Sequence, residues 1–180
     1  MKRLVAAVLF LSLTSCGKSF ILKSPEIRHK STIQNAHVFS GFGCSGKNQS
    51  PALTWGNAPD GTKSFALFVY DPDAPTGSGW WHWVVYNIPV KVQLLPTDAG
   101  KEDGSLMPAG AIQGKSDFGT LGYGGPCPPS GAKKHRYIFT LHALKIEKLP
   151  LPPQPTAALI GFMVNQNSIA KTSFTGYYAR

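Results

Sequence analysis

Apolar residues along this chain come in short runs broken by glycine and proline, the pattern of strands joined by turns. Residues 64–71, SFALFVYD, are continuously apolar up to an acidic turn, which predicts a strand buried on both faces. Residues 80–89, WWHWVVYNIP, are aromatic and β-branched and stop at Pro89, predicting a second strand. In RYIFTLHAL, residues 136–144, Tyr137, Phe139, Leu141 and Ala143 alternate with Arg136, Ile138, Thr140 and His142, so a third strand has one core face. FTGYY, residues 174–178, fits a closing strand. Helical spacing appears late: after LPPQP, Thr156 can cap a helix in which Leu159, Phe162, Met163 and Ile169 recur up to Lys171. Many strands with few helices predict a mainly β fold, a sandwich of antiparallel sheets with a few short helices, one near the C-terminus.

The start of the chain follows another logic. Residues 1–15, MKRLVAAVLFLSLTS, place two positive charges before an apolar run from Leu4 to Leu13 and then small residues, the order of a secretory signal peptide. LTSC resembles the lipoprotein box, in which cleavage precedes a cysteine that then receives lipid, so Cys16 is the expected lipidation site; an ordinary signal peptide is the alternative. Residues 16–31 are polar and aperiodic and read as a lipidated N-terminus and tether. The folded domain is expected over 32–180. The corresponding location is the bacterial cell envelope, lipid-anchored and facing the periplasm, with the outer membrane preferred because Gly17 is not the aspartate that retains lipoproteins in the inner membrane. Release into the periplasm is the alternative.

Composition narrows this only partly. The 180 residues suit one domain, and 42% hydrophobic content excludes disorder over most of it. The formal charge of +9, lowered by two when Lys2 and Arg3 leave with the signal, favours anionic partners. The charges are scattered, however, and the one local cluster, AKKHR at 132–136, has no interleaved aromatics, so nucleic acid is not an expected partner. Of the 3 cysteines, lipidation would consume Cys16. Cys44 and Cys127 then remain, in glycine-rich loops of an oxidising compartment, and are expected to form a disulfide.

The densest chemistry lies in DPDAPTGSGWWHW, residues 71–83, where Asp71 and Asp73 approach His82 in sequence. An acid/base pair, a metal site and an anion pocket would all use such residues. A metal set of His82, His135, Asp71 and Asp73 lacks any helix-borne or cysteine-pair spacing. A serine hydrolase would need a G-x-S-x-G elbow, and Ser78 in TGSGW has none. No enzymatic function and no cofactor are therefore expected. Strict strand alternation would put Trp81 and Trp83 on one face as packing residues, with Trp80 beside His82 on the other.

Several ordered motifs, SPALTW at 50–55, DPDAP at 71–75, WWHWVVYNIP at 80–89, GPCPPSG at 125–131 and HRYIFTLHAL at 135–144, resemble the phosphatidylethanolamine-binding protein (PEBP) family. HVFSGFGCSGKNQSPALTW and QGKSDFG resemble its YbhB/YbcL-like, or Raf-kinase-inhibitor-like, bacterial branch. The resemblance implies a PEBP-like sandwich with a pocket for small anions or phosphorylated headgroups. It implies Asp71, His82, His135 and Tyr137 as lining residues, with backbone groups around Gly125 and Cys127 facing the anion. A phosphate oxygen needs N–H or O–H donors, which the histidines and the tyrosine provide; a carboxylate does not, so Asp71 is expected to orient a histidine or to cap its turn. Asp73 is either functional or part of the turn. The resemblance leaves open a protein-interaction or inhibitor role of the kinase- or protease-inhibitor kind acting through surface loops, and a homodimer.

Overall fold

The strand-like runs and their turns become ten strands and one α-helix in a computed structural model that describes residues 18–180; the signal segment and Cys16 lie outside the described residues. A three-stranded sheet, ordered β1-β4-β7, is built from β1 (Ile21–Lys23), β4 (Leu53–Gly56) and β7 (Leu94–Leu95). A small hairpin pairs β2 (Ser40–Gly41) with β3 (Cys44–Ser45). The main sheet is antiparallel, ordered β10-β9-β5-β6-β8, from β5 (Ser64–Asp71), β6 (Trp80–Pro89), β8 (Ile112–Gln113), β9 (His135–Leu144) and β10 (Ser168–Tyr178). The helix is α1 (Ala157–Asn167).

Three layers explain the pattern of apolar positions. Leu22, Leu53, Trp55 and Leu95 of the small sheet pack against Phe65, Leu67, Trp83, Val85, Phe139 and Leu141 of the large one. On the opposite face of the large sheet, Ala157, Ile160 and Val164 of α1 cover Ala66, Phe68, Val84 and Leu144. The central strand β5 is thus buried on both sides, which is why its sequence shows no alternation. Each large side chain so buried contributes about 1.5–3 kcal/mol of transfer free energy.

The structure corrects three sequence expectations. The fold does not begin at residue 32: β1 pairs with β4, and Leu22 and Ile27 are buried in the core, so the stretch read as tether is part of the domain from its first described residues. Three strand residues are too few to show a period. The helix is capped by Thr156, whose hydroxyl accepts the Leu159 N–H, but it ends at Asn167. Its buried stripe is Ala157, Ile160, Gly161 and Val164, while Leu159 and Phe162 face outward. Residues from Ser168 onward join β10, where the ladder with β9 satisfies their backbone groups.

The third correction positions the site. Trp81 and Trp83 do not share a face. Val69 pairs with Trp83 while its neighbour Tyr70 pairs with Trp81, so β6 carries a bulge at His82. The extra residue turns His82 and Trp83 toward the same side: His82 meets Tyr137, and Trp83 enters the inter-sheet core. Trp81 falls on the helix side, against Phe68 and Tyr70. Trp80 does lie with His82, as strict alternation expected.

Candidate functional site

Antiparallel pairing brings the end of β5 beside the starts of β6 and β9. Asp71 closes β5, Trp80 and His82 open β6, and His135 and Tyr137 open β9. These five side chains converge on a cavity of about 210 Å³, half-open to solvent. Asp71, His82, His135 and Tyr137 are all at least 95% buried.

Asp71 uses both carboxylate oxygens. Oδ1 accepts the N–H of Asp73 at 2.8 Å, an Asx turn that bends the chain out of the strand. Oδ2 accepts the Nδ1–H of His135 at 2.7 Å. The acid therefore caps its turn and orients a histidine at once, and His135 Nε2 is left for a ligand. Asp73 turns away. Its carboxylate receives Nε and Nη2 of Arg136 at 2.8 and 2.7 Å and the Arg136 backbone N–H at 2.9 Å, pinning the turn after β5 to β9. The Arg136 hydrogen bonds hold the Asp73 carboxyl below its ordinary range.

His82 is held differently. Its Nδ1–H donates to the Gly124 carbonyl at 2.6 Å, and the Gly124 N–H returns a bond to the His82 carbonyl at 2.8 Å. Burial lowers the His82 pKa to about 4, so the ring is neutral near pH 7. Tyr137 has its hydroxyl pKa pushed up by burial and by the nearby Asp71 charge and remains an O–H donor. Among the described residues, the Tyr137 hydroxyl and the Trp80 indole N–H are buried without any hydrogen-bond partner.

The GPCPP loop forms part of the wall. Cys127 lines the cavity and is bonded to Cys44, the pairing expected from the cysteine count. Gly125 is not at the cavity: its N–H donates to Asn48 Oδ1 at 2.7 Å, so the backbone donor that the resemblance assigned there is already used. A Cβ at Gly125 would lie 2.1 Å from the His37 carbonyl oxygen, and this close approach of two backbones is why glycine stands there.

Two aromatic lining residues escaped the sequence reading. Phe118 stacks on Phe39 at 4.2 Å and presents its ring to Trp80 and His82, each at 5.4 Å. Phe42, 69% exposed, extends this aromatic rim outward. A phenylalanine between two glycines, beside a cysteine, was the available signal for Phe42. Ser78 lies exposed in the turn, and among the described residues its hydroxyl has no histidine partner. Among the described residues, no group of three or more histidine, cysteine or acidic side chains is placed to hold a metal.

Comparison with known proteins places this geometry among relatives. The family model described as phosphatidylethanolamine-binding protein matches residues 23–179. YbcL of Escherichia coli is 51% identical over 180 residues, covering 99% of this chain and 98% of YbcL. YbhB of the same organism is 46% identical over 159 residues, covering 88% of this chain and 99% of YbhB. LppC of Mycobacterium tuberculosis, named as a candidate lipoprotein, is 36% identical over 137 residues, covering 76% of this chain and 63% of LppC. The crystal structure of E. coli YbcL, described as a new member of the mammalian PEBP family, superposes with a TM-score of 0.87 at 55% identity, over 89% of this chain and 98% of that one.

Proposed function

The chain belongs to the phosphatidylethanolamine-binding protein family, and from that membership we propose that it is a non-enzymatic binding protein of the cell envelope whose pocket recognises a small anion or a phosphorylated headgroup. One observation carries the reading: two buried donors, the Tyr137 hydroxyl and the Trp80 N–H, lack protein partners and belong to side chains that line the same cavity as His135. A buried donor without a partner costs about 1–3 kcal/mol, and an oxyanion is the ligand class that would satisfy several at once. The apolar rim of Phe42 and Phe118 suits a hydrocarbon portion next to the charge. The envelope location is supported by the signal-like leader, the Cys44–Cys127 bond and the lipoprotein name of one relative.

An NMR titration tests the pocket. Inorganic phosphate and phosphoethanolamine should shift the ring resonances of His82, His135, Tyr137 and Trp80, while His142 on the helix side stays still. If none of the four pocket residues responds to either compound at millimolar concentration, the reading is wrong.

A further inference from the structure

The two pocket histidines are backed by different groups, and the difference bears on which anion fits. A carboxylate stands behind His135. Behind His82 stands a carbonyl, which only accepts, so the 2.6 Å contact places the ring proton on Nδ1. In the neutral ring Nε2 is then a bare lone pair, and among the described residues it has no donor of its own. The site therefore offers donors, Tyr137 O–H and Trp80 N–H, and an acceptor fixed by its backbone partner, His82 Nε2, beside His135 Nε2, which is likewise without a protein partner among the described residues.

A fully deprotonated oxyanion answers the donors but sets a lone pair against that of Nε2. It also brings two negative charges into a cavity whose described lining contains no lysine or arginine and already holds the Asp71 carboxylate. A phosphodiester has the lower charge but no O–H. A phosphomonoester carrying one proton has both the lower charge and the O–H. We propose that the pocket selects phosphomonoesters in their singly protonated form over phosphodiesters, the ligand's P–O–H donating to Nε2 of His82; this rests on the anion-binding reading above.

The charged and titratable groups facing His82 are Asp71 from β5 and His135 and Tyr137 from β9, with Phe118 closing the fourth side. A titrating group on the protein would also make anion binding pH-dependent, so the test has to separate ligand from protein. Calorimetric titrations with phosphoethanolamine, short-chain phosphatidic acid and glycerophosphoethanolamine, run between pH 5.5 and 8, do so. Phosphoethanolamine should bind at least about tenfold tighter than the diester at pH 5.5, the value of one hydrogen bond to a charged partner. Its affinity should fall by about 75-fold between pH 5.5 and pH 8, because the second phosphate ionisation lies near pH 6. Replacing it with an alkylphosphonate of higher second pKa should move the midpoint up by the same interval.

Equal affinity for the diester overturns the proposal and leaves the anion reading standing, as does a midpoint that ignores the ligand's own pKa. Binding of none of the compounds overturns both. Phosphatidic acid with the same pH profile extends the monoester preference to a lipid, and its exclusion restricts the preference to free monoesters; either supports the selection. Imidazole 15N shifts of the unliganded protein supply a readout that needs no variant: a pyridine-like Nε2 in His82 is expected, and a protonated Nε2 near pH 7 contradicts the proposal. In a folded His82→Gln protein the amide can rotate to donate or accept, and the monoester preference should shrink to less than about threefold.

Discussion

At the scale of single residues, the four polar side chains of the site divide into groups that are satisfied and groups that are not. Asp71 has both oxygens engaged and serves to hold His135. Asp73, two positions on, serves only to tie its turn to Arg136. Tyr137 stands apart because its hydroxyl is buried at the cavity with no partner. Tyr137→Phe removes that unsatisfied group without leaving a large void, so the folded protein should lose no stability and gain up to about 1 kcal/mol. Phosphate or phosphoethanolamine should at the same time bind several-fold more weakly. Denaturant unfolding beside a binding titration checks this; a variant that is destabilised and binds normally would mean that the hydroxyl supports the fold and not the ligand. Tyr137 was legible in the sequence as a core-facing strand residue, but the state of its hydroxyl depends on groups more than fifty residues away.

At the scale of elements, β6 does the decisive work. Its bulge lets one strand put His82 in the pocket, Trp83 in the core and Trp81 under the helix, which a regular strand would not allow. On the other side of β5, β9 divides its side chains between the same two faces, with His135 and Tyr137 on the pocket side and His142 edge-on to Phe68 on the helix side. Burial lowers the pKa of both His82 and His142 to about 4. The unfolded chain takes up these protons near pH 6.5, before the folded one does, so stability is complete above about pH 6.5 and falls as the pH drops toward 4. Below that the folded protein protonates too, and the loss from these groups levels off. A lowering of this size is worth on the order of 3 kcal/mol for each group. Urea unfolding at pH 7.5 and pH 4.5 should show this decline, and His142→Gln should remove part of it. An unchanged slope in the variant would assign the acid sensitivity elsewhere.

At the scale of the whole molecule, long-range ties assemble the pocket from segments spread over most of the domain. The Cys44–Cys127 bond joins positions 83 residues apart and holds the hairpin bearing Phe42 against the loop that forms the pocket wall. Arg180, at the chain end, reinforces it through bonds to the carbonyls of Pro128 and Gly43 at 2.7 and 2.9 Å. Closing so long a loop stabilises by roughly 2–4 kcal/mol. The Cys44→Ser, Cys127→Ser double variant should lose that amount in denaturant unfolding, and its ligand affinity should fall because Phe42 is no longer held at the rim. A double variant with wild-type stability would show the bond to be structurally idle.

The sequence alone determined the mainly β class, the limits of β5 and β6, the capping of α1 by Thr156, and the cysteine pair, because each follows from local propensity, apolar pattern or counting. The family motifs likewise named Asp71, His82, His135 and Tyr137, which the structure brings to one cavity. Only the tertiary structure decided which face each tryptophan takes, that Asp71 serves two partners while Asp73 serves Arg136, that the Gly125 N–H belongs to Asn48, and that residues 20–31 belong to the folded domain, with Leu22 and Ile27 in its core. The physical reason is common to all of these. A bulge, a hydrogen-bond partner and the covering of a short strand are settled by groups distant in the chain, and no local pattern of residues carries their positions.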